Sequence, residues 1–364
     1  MKDYISKNVF APAKKSFIYM ERKTAFGRTR KGLVVQIDLD TYEWKPFSKA
    51  NIRATEATIV ERIPPRMEIR KGAPLELPHI MLLVNDKEKK LIEETGKLVK
   101  DKSPLYQGTL MSNGGSICGW EVSSEKEINF ITETINHIAE KNSSSDGSTF
   151  LFAVGDGNHS LATAKAVWEE YKKELISKGA TESELKENPV RYALVEIVNL
   201  YDEGLTFEPI HRVIFNIDSD KMIDFLKTKL NGSVKEVSSQ AEVESETKKS
   251  LSTFGFVYKK NGKQFYKILE TSIKELAVAM LQPQIDEFLK NQTGSEIDYI
   301  HGSEEVFRLG SQDNSTAIML PPIAKDSFFE TINGRGPLPR KSFSMGEADE
   351  KRFYLECRRL FPSE

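Results

Sequence analysis

The sequence predicts an α+β fold, because segments with strand-like and helix-like hydrophobic patterns alternate along the chain. The clearest case is the stretch 149–171, TFLFAVGDGNHSLATAKAVWEEY, in which the hydrophobic period changes once. Its first part, Thr149–Val154, is too short for a helix and too uniformly apolar for a surface strand. Five apolar residues then recur at helical spacing: Leu161, Ala164, Trp168, Tyr171 and Leu175. We therefore expect a buried strand, a polar turn and an amphipathic helix.

The polar turn 155–160, GDGNHS, lies where the predicted helix begins. The first amides of a helix lack partners within it and lie at the positive end of its dipole, so they favour an anion. Asp156 could hold a cation or accept a proton, and His159 could transfer a proton or bind phosphate. Asn158 or Ser160 could cap the helix. A plain strand-to-helix loop uses the same residue types, so both interpretations stay open at this point.

The elements before this turn follow from the same patterns. They are strands at Leu33–Leu39 and His79–Val84, a charged amphipathic helix at Lys87–Lys102, a hairpin about Asn113-Gly114 and a helix at Glu125–Lys141. Between the two strands lies IRATEATIVERIPPR, which starts at Ile52 and is rich in arginine and glutamate. Arginine suits bidentate phosphate recognition, and Glu56 beside a substrate hydroxyl would serve as a general base. A solvated charged face is the alternative interpretation.

Beyond the central helix the alternation continues. The predicted elements are a strand at Arg191–Asn199, an extended segment over 205–214, helices at Lys221–Leu230 and Glu275–Leu289, and short strands at Phe254–Lys259 and Lys263–Leu269. Pro283 should kink or split the second helix, and Glu242–Lys249 should form a solvated charged face. The pair His211-Arg212 needs partners if it is buried. The turn 333–342, which contains Lys341, could form a second lip of an anion site.

Composition excludes several classes of protein. The chain has 52 basic and 54 acidic residues, a net charge of -2, and no basic stripe or helix-turn-helix, so nucleic-acid binding has no support. Two cysteines and five scattered histidines give neither a disulfide framework nor a metal-binding spacing. No apolar run approaches the roughly twenty residues of a membrane span, and the N-terminus lacks the apolar region of a signal peptide. We therefore expect a cytoplasmic protein without membrane association.

Four separated stretches resemble one family: IRATEATIVERIPPR from Ile52, AVGDGNHSLATAKA from Ala153, EPIHRV from Glu208 and PLPRKSF from Pro337. On these the chain is identified as a member of the bacterial and archaeal domain-of-unknown-function family 1015 (DUF1015). That family is related to the ParB and sulfiredoxin-like group, which includes the ADP-dependent free serine kinase. The resemblance implies a ParB/sulfiredoxin-like mixed-sheet core over 1–215 and roughly 301–364, with a smaller α+β subdomain over 216–300.

In that family the central motif usually has the form Asp-Gly-His-His-Arg. Here Asp156, Gly157 and His159 keep the motif, whereas Asn158 and Ser160 replace the first histidine and the arginine. In the ParB and sulfiredoxin relatives this turn approaches nucleotide phosphates at a helix start. The loss of the basic residue at position 160 removes a phosphate ligand that kinase relatives would use.

The first family motif carries an Arg-x-x-Glu pattern followed by a further arginine. Arg53, Glu56 and Arg66 match it by position, while the acidic residue expected just before the last arginine is Pro65 here. The resemblance implies catalytic roles for Glu56, Asp156 and His159. It implies a nucleotide-binding role for nine residues: Arg53, Arg66, Gly155, Gly157, Asn158, Ser160, His211, Arg212 and Lys341.

The function implied is that of a small-molecule kinase, which transfers a phosphoryl group from ATP or ADP to a metabolite hydroxyl, for example on a free amino acid. Asp156 would position Mg2+ or the hydroxyl, Glu56 would act as the base, and the turn amides with His159 would hold phosphate. The alternative is a non-catalytic nucleotide-binding switch or regulatory module in the manner of ParB. The expected partners are therefore a nucleotide and a small-molecule substrate.

Overall fold

The computed structural model describes residues 1–346, 348–351 and 353–361. It is an α+β structure, as the sequence predicts, and its chain divides into two compact units. The first unit is Met1–Leu205 with Glu347–Glu364, and the second is Thr206–Gly346. The sequence-based division assigned 301–346 to the core. In the structure, strand Ser315–Met319 from this segment lies within the main sheet of the second unit.

The first unit is built on a nine-stranded mixed sheet in the order β3-β4-β9-β6-β10-β2-β1-β8-β7. The strands are β1 (Phe17–Lys23), β2 (Thr29–Asp38), β3 (Tyr42–Glu43), β4 (Ile52–Ala54), β6 (Ile80–Val84), β7 (Tyr106–Thr109), β8 (Ser116–Val122), β9 (Phe152–Asp156) and β10 (Tyr192–Asn199). A separate two-stranded sheet pairs β5 (Leu75–Glu76) with β19 (Arg358–Arg359). In the large sheet β4 runs parallel to β3 and to β9, and β6 runs parallel to β10.

The helices of this unit are α1 (Lys2–Ser6), α2 (Ile63–Arg70), α3 (Thr95–Val99), α4 (Glu125–Lys141), α5 (Asn158–Ser177) and α6 (Glu182–Glu187). A π-helical turn, Lys90–Glu94, precedes α3, so the predicted helix 87–102 is formed only in part. Helix α4 begins with a capping box in which Ser124 and Glu127 bind each other's backbone amides. Four 3-10 turns complete the unit: Leu39–Thr41, Val60–Arg62, Pro189–Arg191 and Ala348–Lys351.

The strand, turn and helix predicted around residue 156 are present as β9 and α5. Leu161, Ala164 and Trp168 of α5 are fully buried and pack into the same core as β9. The indole Nε1 of Trp168 donates a hydrogen bond to Asp40 Oδ1, 2.9 Å away, so the buried polar atom of the largest core side chain has a partner. The apolar face that the periodicity predicts is therefore the face that fixes α5 on the sheet.

The second unit has a six-stranded antiparallel sheet in the order β13-β15-β14-β17-β12-β16 and a separate pair β11-β18. Its strands are β11 (Phe207–Pro209), β12 (His211–Phe215), β13 (Ser233–Glu236), β14 (Thr253–Lys260), β15 (Lys263–Glu270), β16 (Glu296–Ile300), β17 (Ser315–Met319) and β18 (Phe343–Met345). Its helices are α7 (Ser219–Lys229), α8 (Gln240–Lys248), α9 (Ala277–Leu289), α10 (Ser303–Gly310) and α11 (Lys325–Arg335).

Two local predictions in the second unit hold only in part. Of the kink or split predicted at Pro283, the split is absent, because Pro283 lies inside the continuous helix α9. Proline removes one backbone donor, and the burial of neighbouring residues such as Leu281 and Ile285 maintains the helix. The charged stretch 242–249 is not only a solvated face, because most of it forms α8, in which Val243 and Thr247 are buried.

A buried ion pair links the sheet of the first unit to the chain's C-terminal segment, which we define as residues 348–351 and 353–361. The Arg30 guanidinium on β2 donates through Nε and Nη2 to the Glu196 carboxylate on β10, at 3.0 Å each, and both side chains are almost completely buried. Tyr354 donates to Glu196 Oε2 at 2.5 Å, and Arg30 Nη1 donates to the carbonyl oxygen of Glu350 at 2.8 Å. Burial alone would lower the pKa of Arg30, yet the adjacent Glu196 charge raises it above its ordinary value.

We expect Glu196→Gln, which keeps the shape of the side chain and removes its charge, to lower the free energy of unfolding by about 3–5 kcal/mol. The reason is that Arg30 would remain buried without a counter-charge. Urea unfolding followed by tryptophan fluorescence measures this, since all three tryptophans belong to the first unit. The control is Glu174→Gln in the exposed Lys178–Glu174 pair, for which we expect a change of about 0.5 kcal/mol or less. Equal effects of the two substitutions would contradict a stabilising role of the buried pair.

Candidate functional site

The turn that the sequence singles out lies at the carboxyl ends of two adjacent parallel strands, β4 and β9. Gly157 is the only residue between β9 and α5, and it adopts a left-handed conformation with φ +89°. A Cβ atom there would lie 3.1 Å from the Ile80 side chain, so glycine is favoured by both conformation and space. In open sheets, ligands bind outside the carboxyl ends of parallel strands. The turn therefore occupies a position suited to ligand binding.

Gly155 forms a bulge in β9 rather than part of the turn. Val154 pairs with Leu82 and Asp156 pairs with Met81, so the register against β6 skips one residue on β9. A bulge bends a strand and changes the direction in which the next side chain points. Gly155 thus acts on the site by setting the position of Asp156 before the helix begins.

Asn158 joins the start of α5 to the residue that follows β4. Its Oδ1 accepts a hydrogen bond from the Thr55 amide at 3.1 Å, and its Nδ2 donates to Thr55 Oγ1 at 3.2 Å. Thr55 Oγ1 in turn donates to the carbonyl oxygen of Val154 at 2.5 Å. Thr55 is fully buried, so these bonds satisfy polar groups inside the protein. Asn158 therefore links the ends of the two strands.

His159 holds the loop after β4 from the other side. Its Nε2 accepts a hydrogen bond from the Ile59 amide at 3.2 Å. A neutral imidazole that accepts at Nε2 carries its proton on Nδ1. In this arrangement Nε2 cannot take up a proton without losing the hydrogen bond from the Ile59 amide.

Asp156 is bound at both carboxylate oxygens. Oδ1 accepts from the Gly157 amide at 2.8 Å, and Oδ2 lies 3.0 Å from the Nζ atom of Lys351 in the C-terminal segment. The Asp156 side chain is nearly half exposed and that of Lys351 is a quarter exposed. The carboxylate thus reaches solvent at the turn, where it is neutralised by an ammonium group from a distant part of the chain.

No side chain of the described residues caps the N-terminus of α5, because the N-cap residue is Gly157. The leading amides of this helix belong to Asn158, His159 and Ser160, which are all half-buried. In a helix of 20 residues these amides carry the positive end of the dipole. The first turn contains no acidic residue that would offset this charge. The helix start can therefore accept an anionic group.

The three predicted residues of the first motif, Arg53, Glu56 and Arg66, differ in where they lie relative to this turn. Glu56 is half-buried and directly follows Thr55, so it lies on the loop that Asn158 and His159 fix. Arg53 is buried, but its Nε donates to the Ala50 carbonyl at 2.7 Å and its guanidinium lies 4.7 Å from the centre of the Phe150 ring. Ala50 and Phe150 precede β4 and β9, so these contacts are at the strand ends opposite the turn.

Arg66 lies on the exposed side of α2, a helix that packs against α5. Its Nη1 donates to the carbonyl oxygen of Arg62 at 2.9 Å, one turn earlier in the chain. Ile63 and Met67 of the same helix face the core instead. Arg66 is thus presented to solvent from a helix adjacent to α5.

The remaining predicted residues, His211, Arg212 and Lys341, belong to the second unit. His211 is buried on β12, and its Nδ1 accepts from the Leu320 amide at 3.1 Å. Arg212 is also fully buried, and it donates to Gln282 Oε1 at 2.9 Å and packs over the Tyr299 ring. Adjacent residues of a strand face opposite sides of the sheet, so the side chains of His211 and Arg212 do not lie on the same face.

Lys341 is exposed and has a left-handed backbone conformation, with φ +60°.

His211 lines a cleft of about 460 Å³ within the second unit. Burial, together with the charge of Arg212, lowers the pKa of His211 to about 4, so this imidazole is neutral at physiological pH.

Among the described residues, no group of three histidine, cysteine, aspartate or glutamate side chains could hold a metal ion. Asp156 is therefore a single carboxylate rather than part of a protein-only metal site. Within the described part of the chain, no helix combines the length and apolar character needed to cross a bilayer. The two cysteines, Cys118 and Cys357, are half-buried and form no disulfide.

Two residues at the turn were missed by sequence reasoning. Thr55 was not distinguished from its neighbours, and its role depends on a partner 103 positions away. Lys351 was not singled out at all, and only its basic character could have drawn attention to it. Neither signal is specific, because threonine and lysine are common on any surface.

Comparison with known proteins gives one family match over most of the chain. The model of the family described as "Protein of unknown function (DUF1015)" matches residues 1–288. No curated protein matches the sequence.

Three solved structures are similar in fold at a distance. A conserved hypothetical protein from Pyrococcus furiosus has 12% identity and a TM-score of 0.41, with 90% of this chain and 95% of that chain covered. The free serine kinase in complex with AMP has 13% identity and a TM-score of 0.39, with 86% and 87% covered. SbnI with a C-terminal truncation, from Staphylococcus aureus, has 8% identity and a TM-score of 0.39, with 86% and 83% covered. At such values the likeness is too distant to carry a function from one chain to another.

We expect Gly157→Ala to destabilise the first unit by about 1–2 kcal/mol from the left-handed conformation and by roughly 1 kcal/mol more from the contact with Ile80. Gly179→Ala, just beyond the other end of α5, is the matched control. Gly179 has φ +88°, but an added Cβ would meet no atom within 4 Å. Urea unfolding of both variants measures the difference, and equal losses would show that the packing against Ile80 is loose.

His211 should make the second unit less stable as the pH falls. Its pKa of about 4 in the folded chain lies below the ordinary value of 6.5. The unfolded chain therefore takes up a proton first, and stability decreases from about pH 6.5 to 4, in total by roughly 3 kcal/mol. His211→Asn should remove this part of the pH dependence, measured by urea unfolding followed by circular dichroism. The exposed His137→Asn is the control, and an unchanged profile in both variants would contradict the assignment.

Proposed function

We propose that this chain, which belongs to the DUF1015 family, binds a nucleotide at the turn between β9 and α5. The bound nucleotide, ATP or ADP, would donate a phosphoryl group to the hydroxyl of a small metabolite. The observation that carries the proposal is the uncapped start of α5 at the carboxyl ends of two parallel strands, with Glu56 on the adjoining loop. Helix amides in this position bind phosphate through hydrogen bonds and the helix dipole.

Catalysis of phosphoryl transfer depends mainly on positioning the reactants and stabilising their charge, and less on covalent bonds between protein and substrate. The hydroxyl oxygen attacks the terminal phosphorus, its proton passes to the Glu56 carboxylate, and the shortened nucleotide leaves. The amides of Asn158, His159 and Ser160 would hold phosphate oxygens. Arg66, exposed on α2, is free to turn toward a bound phosphate, whereas the contacts of Arg53 favour a packing role.

Asp156 is the residue proposed to hold Mg2+. This cation keeps several water ligands and is often bound by one or two carboxylates together with phosphate oxygens. A single half-exposed carboxylate beside a phosphate site fits that requirement. The contribution of His211, Arg212 and Lys341 to the nucleotide site stays a prediction.

A non-catalytic nucleotide-binding module is the second candidate, and a specific observation favours it. The side chains of Asn158 and His159 bind the loop 55–59 rather than projecting unengaged from the turn. Two of the motif's side chains thus have structural partners, while the backbone amides stay at the helix start. A site of this kind could hold a nucleotide and couple it to the position of the loop without turnover.

Two finer assignments belong to the same proposal. The mixed sheet, the central motif and the family together favour a ParB/sulfiredoxin-like core. A cytoplasmic location is supported by the two cysteines without a disulfide, which suit a reducing compartment.

The first experiment is isothermal titration calorimetry of the full chain with ATP, ADP, CTP and GTP, with and without Mg2+. We expect at least one nucleotide to bind, and Gly157→Ala to weaken it about tenfold or more by displacing the leading amides. Absence of binding across the panel would contradict both candidates.

The second experiment separates the candidates by turnover. A screen for phosphate transfer to amino acids and sugars should detect a kinase. Glu56→Gln should lower turnover by about 10²- to 10⁴-fold while nucleotide affinity stays unchanged. The exposed Glu61→Gln, in the 3-10 turn after the same loop, is the control and should leave both properties intact. Nucleotide binding without turnover on any acceptor would favour the non-catalytic module.

A further inference from the structure

Contacts between the C-terminal segment and the sheet of the first unit are buried or partly buried and mostly involve charged side chains. Besides the bonds of Arg30 and Tyr354, Arg22 Nη2 donates to the Phe353 carbonyl at 3.2 Å, and Arg28 Nη2 lies 2.9 Å from Glu350 Oε1. The Arg22 guanidinium also lies over the Tyr354 ring. Glu350 is only 5% exposed, so the residue next to Lys351 has a fixed position. The segment is therefore part of the folded unit and not a loose terminus.

Lys351 is the point at which this segment reaches the turn. Its ammonium group pairs with Asp156 Oδ2 at 3.0 Å, beside the start of α5. The helix amides favour an anion, and the Asp156 carboxylate lies beside them. Without a cation next to it, this carboxylate would place an uncompensated negative charge at the position where an anionic ligand would bind. The turn 155–160 contains neither lysine nor arginine, so it provides no permanently charged basic side chain of its own. The lysine from the C-terminal segment is the basic group that contacts this carboxylate.

We propose that Lys351 completes the phosphate site, neutralising Asp156 when the site is empty and binding an anionic phosphate group when it is filled. This inference rests on the anion site of the proposed function and adds to it a residue outside the family match, which ends at 288. A lysine ammonium on a flexible stem suits such an exchange, because it can move between two oxygens without loss of charge. A phosphate group with two negative charges competes effectively with one carboxylate.

The test compares binding of ADP, pyrophosphate and adenosine to the full chain by calorimetry, for Lys351→Met, Lys351→Arg and the wild type. For Lys351→Met we expect ADP and pyrophosphate to bind roughly 10- to 100-fold more weakly, with adenosine unchanged. Lys351→Arg should restore most of the affinity because it keeps the charge. The control is Lys172→Met, which removes a Lys–Asp pair of equal length, 3.0 Å to Asp40, on the same unit.

A purely structural role of Lys351 would weaken all three probes equally, and that result would overturn the proposal. Unchanged ADP and pyrophosphate affinity, or tighter binding, would overturn it as well. Pyrophosphate binding that depends on Lys351, in a chain that binds no nucleotide, would support the proposal and contradict the nucleotide function. Binding of neither probe to the wild type would overturn both.

Discussion

The ion pair between Arg30 and Glu196 is the constraint on which the arrangement of the first unit depends. Two charged groups removed from water are tolerated only when each is paired and hydrogen-bonded, and here both carboxylate oxygens and three guanidinium nitrogens have partners. The pair also requires space, since a Cβ atom at Gly32 would lie 2.4 Å from Glu196 Oε1. It therefore fixes β2 against β10 and requires the segment that supplies Tyr354 and the Glu350 carbonyl to return to the sheet.

The ion pair also affects the turn between β9 and α5, because the C-terminal segment that contacts the pair carries Lys351. The sheet brings the carboxyl ends of β4 and β9 side by side, and the segment brings one ammonium group to the carboxylate at the end of β9. Asn158 and His159 then fix the loop after β4 with three hydrogen bonds. The result is a turn held by side-chain hydrogen bonds, with one neutralised, half-exposed carboxylate beside the start of α5. An anion bound at the proposed site would meet a geometry largely set before binding, which would lower the entropic cost of binding.

Sequence patterns predicted helices and strands, whose formation depends on residues that are close together in the chain. The change of period after Val154 located β9 and α5, and the helical pattern over 125–141 located α4, because burial of one face dictates the spacing of apolar residues. The direction of the Arg53 side chain and the partners of Asn158 and Asp156 could not be predicted in this way. They depend on residues about a hundred or more positions apart, which periodicity does not relate. Pro283 shows a different limit of local patterns. Proline usually interrupts a helix, but α9 continues through Pro283 because its neighbours are packed in the core.

Relative to the motif on which the resemblance rests, Asn158 and Ser160 stand in place of two basic residues, and this difference affects how the turn can hold charge. A histidine and an arginine there would place positive side chains directly against a phosphate. Asparagine instead provides both a donor and an acceptor, and Thr55 uses both. Positive charge at the turn then comes from the dipole of α5 and from Lys351, that is, from a helix and from a different segment of the chain. Positive charge at the turn is thus supplied by tertiary structure, and the C-terminal segment that carries Lys351 is held by the buried pair in the sheet.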